Sequence, residues 1–162
     1  MRHPEIVNTL TLAGWLSAAV AALHVVIIFF GAPAYRYFGA GEEMARQAEA
    51  GSAVPAALTL AIAAVFAVFA LYAFSGAGRV RRLPLLRTGL VAISAIYLLR
   101  GLGLIPELIQ LARDTATVPA RYPVFSAVSL VIGLVYLVGT VSLLRAPRES
   151  PASAGSRTSR TS

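Results

Sequence analysis

Four unbroken apolar runs constrain this chain more than any other feature: Leu10 to Phe30, Ala53 to Phe74, Leu85 to Ile105 and Val124 to Leu144. Each is about 21 residues, and at about 1.5 Å of rise per residue a helix of that length reaches about 30 Å, one hydrocarbon thickness. Lipid offers the backbone no hydrogen bonds, so a run of this kind crosses as an α-helix that satisfies its own N–H and C=O groups. The run ends carry helix punctuation. Gly31 and Pro33 follow the first, Pro55 lies in the opening turn of the second, and Gly76 and Gly78 close it. Pro84 precedes the third, Pro106 follows it, and Pro123 opens the fourth. The expected fold class is all-α: a transmembrane antiparallel four-helix bundle over residues 1–146, with spans at about 10–30, 53–74, 85–105 and 124–144.

Composition supports lipid as the solvent. Hydrophobic residues make up 57% and charged residues only 13%, with a mean hydropathy of +0.74, where soluble domains carry about a quarter charged residues. The net charge of +7 would suggest nucleic acid in a soluble protein. Here the arginines sit in short loops and the tail, where positive charge sets orientation, so nucleic acid is not an expected partner. All 14 basic residues are Arg. The absence of Cys removes disulfides, thiolate nucleophiles and thiolate metal ligands.

The first run also invites comparison with a signal peptide, since Ala32-Pro33-Ala34 imitates a cleavage site. Its length exceeds the 7–15 residues of a signal h-region and Pro sits inside the motif, so a retained span is expected.

Orientation follows from charge. The loop after the second run holds Arg79, Arg81 and Arg82 with no acid, and Arg87 follows; the tail holds Arg145, Arg148, Arg157 and Arg160 against Glu149. The other two loops are balanced or acidic, with Arg36 and Arg46 against Glu42, Glu43 and Glu49, then Arg113 and Arg121 against Glu107 and Asp114. The positive-inside rule places both termini in the cytoplasm of an inner-membrane protein. An even number of spans requires the termini to share a side. Residues 147–162, rich in Ser, Arg and small residues, are expected to form a disordered cytoplasmic tail.

Small and polar residues at helical spacing mark the faces that helices would turn toward each other. They are Gly14, Ser17, Ala21 and His24 in the first run, then Ala56, Thr59, Ala63, Ala67 and Ala70 in the second. The third has Ser94, Tyr97 and Gly101, and the fourth Ser126, Ser129, Gly133, Tyr136 and Thr140. Such stripes serve the chain's own helices, a homo-oligomer or another membrane protein alike.

Apart from Arg87 at the mouth of the third run, two cationic or titratable basic side chains lie within the runs, His24 and Arg100. Each is about 9 Å inside the outer boundary, so the two are level in depth. A cation there points at a partner or a water-filled cavity. The candidate partners are Glu107 and, from the first outer loop, Glu42, Glu43 and Glu49. That loop reads as a turn followed by a short interfacial helix with a Glu42–Arg46 pair. Two readings stand side by side. In one, His24, Arg100, Tyr97, Glu42, Glu43 and Glu107 line an outward pocket for an anionic headgroup, a quinone-like molecule or a proton. In the other, Arg100 snorkels to the interface and His24 is a packing residue. No catalytic set, metal set or cofactor motif is evident: one intramembrane His is poor ligand arithmetic, and the Gly39-Ala40-Gly41-Glu42 stretch follows no strand.

The stretch from His24 through YRYFGAGEEMA and the later LPLLRTGLVAISAIYLLRG resemble small four-pass inner-membrane proteins of proteobacteria whose activity is uncharacterised. That resemblance implies a fold and a location but no activity. Better-known four-span families fit less well. Thiol oxidoreductases need cysteines, small multidrug exporters a carboxylate within the first span, and membrane glutathione-handling enzymes a Glu-Arg pair within a span; this sequence has none of these. The expected role is a non-enzymatic structural or partner-binding bundle. The alternatives are a small transporter or lipid/quinone-binding protein, then a membrane-embedded enzyme.

Overall fold

The computed structural model describes residues 4–113, 119 and 121–146. The expected tail, 147–162, and Asp114 lie outside the described residues. The helices are α1 (Pro4–Phe30), α2 (Ala32–Phe38), α3 (Glu42–Glu49), α4 (Val54–Ala77), α5 (Leu86–Leu102), α6 (Leu104–Ala112) and α7 (Arg121–Arg145). Four stretches are long and apolar enough to cross a membrane: α1, α4, α5 with α6, and α7. The chain is thus all-helical across its described residues, with the hydropathy of a multi-pass membrane protein.

The helices outrun the apolar runs that announce them. α1 begins at Pro4, ahead of Leu10, and α4 continues through Ser75 and Gly76 to a left-handed cap at Gly78. The polar residues in these extensions are no obstacle, because helix formation needs intrahelical hydrogen bonds and not apolarity. The third span differs in another way. It pauses at Gly103 and restarts as α6, with Pro106 in the first turn, where a missing N–H costs nothing. Pro106 therefore opens a helical segment instead of closing the span.

The connection between the first two long helices also departs from its sequence reading. Tyr35, Arg36 and Tyr37 lie within α2, a helix and not a turn, with Pro33 near its start and Gly39 as its left-handed cap. Ala32 and Ala34, the flanks of the cleavage-like motif, are buried in it. With α3 it forms a small cap whose own core comprises Ile27, Ala32, Ala34, Tyr35 and Ala45.

Glycines set how closely the long helices approach. A Cβ at Gly101 would lie 2.6 Å from the Leu130 Cα, and one at Gly133 would lie 2.9 Å from the Leu98 backbone nitrogen. α5 and α7 therefore meet backbone to backbone, the geometry that small residues permit in lipid. Leu10 of α1 reaches the positions where Cβ atoms at Gly76 and Gly139 would stand. The start of α1, the end of α4 and the end of α7 thus share one end of the molecule; α2 and α3 cap the other. The interior is a cluster including Leu10, Ala13, Ala73, Leu90, Ile93, Tyr97, Ile132 and Tyr136.

The expected inward stripes are inward with one correction. Ser17, Thr59, Ala63, Ala70, Ser94, Gly101, Ser126, Gly133, Tyr136 and Thr140 are buried, but Ala67 is exposed. Phe66 and Phe69 pack against the core at that level instead. Opposite the stripes, Leu12, Trp15, Leu60, Val65, Val91, Leu99, Val131 and Val138 are exposed. An apolar surface this extensive suits acyl chains and not water.

Candidate functional site

The sequence places its ionisable candidates at one depth, and the structure distributes them among three settings. The first is an aromatic column. His24 Nδ1 lies 2.8 Å from the Val20 carbonyl oxygen. A carbonyl only accepts, so Nδ1 carries the proton and donates back into its own helix. The ring rests against Phe66 at 5.1 Å between centroids, and Phe66 in turn lies 5.9 Å from Tyr97. His24 and Tyr97 are thus in one column, separated by a phenyl ring.

The second setting is the junction of α5, α6 and α7. Arg100 Nη1 donates to Ser126 Oγ at 2.8 Å, and this serine is its hydrogen-bond partner among the described residues. Gly103 leaves room there, since a Cβ on it would approach both Ser126 Oγ and Arg100 Nη1. One helical turn on, Glu107 has a buried Oε2 with no hydrogen-bond partner. A buried carboxyl oxygen without a donor among the described residues is a costly feature, and it makes Glu107 the least satisfied polar side chain described in α5 and α6.

The third setting is the cap. Arg36 grips two carboxylates in fork geometry. Its Nε and Nη2 donate to the Glu42 oxygens at 3.0 and 2.9 Å, and its Nη1 and Nη2 donate to the Glu49 oxygens at 2.7 and 3.1 Å. The Glu42–Arg46 pair expected from spacing does not form. Arg46 donates to Glu43 at 2.7 Å, and Glu43 also accepts from Gln47. Arg36 reaches Glu42 from helical α2 and engages it with Nε and Nη2 together, while Arg46 is turned to Glu43 in its own helix. The Arg36 guanidinium holds the Glu42 and Glu49 carboxyls below their ordinary range, and the carboxylates raise Arg36 in return. Glu43 is lowered first by Gln47, then by Arg46. Arg121 ties this cap to α7: its guanidinium sits over the Tyr37 and Tyr122 rings at 5.1 and 5.4 Å and donates to the Tyr37 carbonyl at 2.6 Å.

A fourth feature, which spacing alone did not single out, lies where four helices meet. Ser17 Oγ lies 3.0 Å from the Tyr97 hydroxyl and 2.8 Å from that of Tyr136, and Tyr136 donates to the Phe69 carbonyl at 2.9 Å. The proton directions follow by elimination. Tyr136 has one proton and the Phe69 carbonyl takes it, so Ser17 donates to Tyr136. Ser17 also has one proton, so Tyr97 donates to Ser17. The chain Tyr97 → Ser17 → Tyr136 → Phe69 carbonyl runs one way, ends on an acceptor, and joins α5, α1, α7 and α4. The Tyr97 and Tyr136 rings stack at 5.6 Å above it. Both Ser17 and Tyr136 stand in the sequence stripes. What would have raised them above packing residues is that a serine and two tyrosines fall near the middle of three apolar runs.

The candidate carboxylates Glu42 and Glu43 therefore sit with cap arginines, Arg100 with Ser126, and His24 with its own helix. Among the described residues, no group of three or more His, Cys, Asp or Glu side chains is arranged to hold a metal ion. Compared with known proteins, the chain matches no family model, no curated protein and no solved structure.

Proposed function

We infer that this chain works as a multi-pass protein of the inner membrane, an antiparallel four-helix bundle with both termini cytoplasmic. On this reading its role is structural or partner-binding and not enzymatic. The observation that carries it is the closed polar chain at the bundle centre. Ser17, Tyr97 and Tyr136 spend their protons on each other and on a backbone carbonyl. Thr59, Ser94 and Ser129 spend theirs on the carbonyl four residues back, at 2.8, 2.7 and 2.9 Å. The first set holds the helices in register, the second is satisfied within single helices, and neither leaves much to offer a substrate.

Charge supports the orientation. Arg79, Arg81, Arg82, Arg87 and Arg145 share the end where α1 begins, while Glu42, Glu43, Glu49 and Glu107 accompany the arginines of the cap end. The cysteine-free sequence makes a direct test simple. An Ala50→Cys variant should react with a membrane-impermeant maleimide on intact cells, and Arg82→Cys only after permeabilisation. The opposite pattern inverts the topology.

Two observations support one second reading, a transporter or lipid/quinone-binding protein open to the cap side: the Glu107 oxygen without a partner among the described residues, and the Arg100–Ser126 bond one helix earlier. Arg100→Leu and His24→Ala separate the two. Variants that insert, assemble and complement as the parent does favour the structural bundle. Loss of complementation with normal insertion, together with a specific quinone or lipid found by mass spectrometry in the purified parent, favours the pocket.

A further inference from the structure

The α4–α5 connection is more ordered than a charge-bearing turn needs to be. Ser75 Oγ accepts from the Leu83 N–H at 2.9 Å and donates to the Arg81 carbonyl at 3.1 Å. The Arg79 N–H reaches the Phe74 carbonyl at 2.8 Å, and the Tyr72 hydroxyl donates to the Pro84 carbonyl at 3.3 Å. Backbone groups at 79, 81, 83 and 84 are therefore all tied to the end of α4. Leu85 completes the connection at φ 50°, a left-handed conformation unusual for a side chain of its kind. The hydrogen bonds hold the peptide and leave the guanidinium groups of Arg79, Arg81 and Arg82 exposed. Among the described residues no carboxylate is paired with them, and Glu5, in the first turn of α1, is the acid that shares this end.

Interleaved with these cations are apolar side chains that the fold does not cover, Val80 at 41% and Leu85 at 77% exposure. The lipid-facing surfaces of α4 and α5 begin within about two turns, at Leu71 and Val91. The patch thus straddles the boundary between an acyl layer and a layer of charge. An inorganic anion or a nucleic acid has use for the arginines but none for Val80 and Leu85. An anionic phospholipid uses both, with its phosphate against guanidinium forks and its chains against the apolar residues.

We propose that the Arg79–Leu85 connection is a preformed binding site for the headgroup of an anionic phospholipid in the adjacent leaflet. Its arginines have a recognition role beyond fixing topology. The proposal rests on the four helices spanning a bilayer, and a failure of that premise shows separately, as full-length chain washed from membranes by carbonate without detergent.

The test is native mass spectrometry of the full-length protein released from nanodiscs of equimolar phosphatidylglycerol and phosphatidylcholine. Phosphatidylglycerol should be retained in preference. An interfacial arginine contributes about fivefold to anionic-lipid association, so Arg79, Arg81 and Arg82 changed together to Gln should lower retention about a hundredfold. The Arg46→Gln/Arg113→Gln double variant, at the cap end, should leave the preference intact. Amide hydrogen exchange across residues 80–85 should slow with phosphatidylglycerol and not with phosphatidylcholine, a readout on the parent protein that no folding defect can mimic. Equal retention of the two lipids overturns the proposal. So does a preference that survives the triple substitution, or one that disappears instead when Arg148, Arg157 and Arg160 become Gln. Displacement of the bound lipid by millimolar inorganic phosphate would assign the site to a free anion and overturn it equally.

Discussion

The direction of the central hydrogen-bond chain makes an unequal set of mutational effects unavoidable. Tyr97→Phe removes the first donor only. Ser17 still donates to Tyr136 and Tyr136 still donates to the Phe69 carbonyl, so one bond is lost and no proton is orphaned. Interhelical hydrogen bonds in membranes average about 0.6 kcal/mol, which is the expected cost. Ser17→Ala removes two bonds and strands the Tyr97 proton in a site where Tyr97 is 4% exposed among Phe66, Phe69 and Tyr136. Two bonds at about 0.6 kcal/mol each, plus about 1 kcal/mol for an unsatisfied buried donor, give a loss of about 2 kcal/mol. The decisive variant is the double one. In the Ser17→Ala background, Tyr97→Phe removes the stranded hydroxyl and should restore about 1 kcal/mol. Tyr136→Phe in that background removes the surviving bond to Phe69 and should cost about another 0.6 kcal/mol. Reversible unfolding in mixed detergent–lipid micelles, titrated with dodecyl sulfate and followed by circular dichroism, measures all five proteins. If Tyr136→Phe rescues Ser17→Ala and Tyr97→Phe does not, the proton direction argued above is wrong.

Other positions carry equally definite expectations. Gly101→Ala should destabilise by about 1–3 kcal/mol in the same unfolding assay, because the new methyl meets the Leu130 backbone, which cannot swing aside. Gly14→Ala should cost less, since the atoms nearest its methyl belong to the rotatable Phe74 ring and not to backbone. Thr140→Val keeps the shape of a buried side chain whose hydroxyl has no partner, and should be neutral or stabilise by about 1 kcal/mol; a loss above that size would reveal a bond the structure does not contain. The cap should respond to acid. Glu42 and Glu49 are lowered from 4.5 by Arg36 in the folded protein, so their contribution is complete above the unfolded value and is lost as pH falls through the folded one. Side-chain carboxyl carbon shifts should titrate below 4.5 for both residues and return toward it in Arg36→Gln. Midpoints at or above 4.5 in the parent would remove the clamp from the argument.

Reading the fold from sequence worked where one physical term dominates. Lipid leaves a long apolar run a single way to satisfy its backbone, so four runs gave four long helical stretches, the third interrupted at Gly103, and the small-residue faces turned inward for the same packing reason. It failed where several weak terms compete. Local spacing favoured Glu42 with Arg46, yet a partner six residues away took the carboxylate once α2 proved helical and brought a guanidinium fork to it. Ala67 was a fair inward residue by size, but two phenyl rings on neighbouring faces filled the space first. The candidate site shows the deeper reason. Sequence logic ranks membrane residues by charge, which points to His24 and Arg100. The structure makes the most connected polar residue an uncharged one, Ser17, because a hydroxyl both donates and accepts and can therefore link two other hydroxyls. A cation in a span announces itself through the cost of burying it. A hydroxyl becomes legible only when the partners that complete its bonds are known, and here those partners come from helices 80 and 119 residues away. Among apolar helices with few charges, the residues that set helix register are consequently the ones a single sequence conceals best.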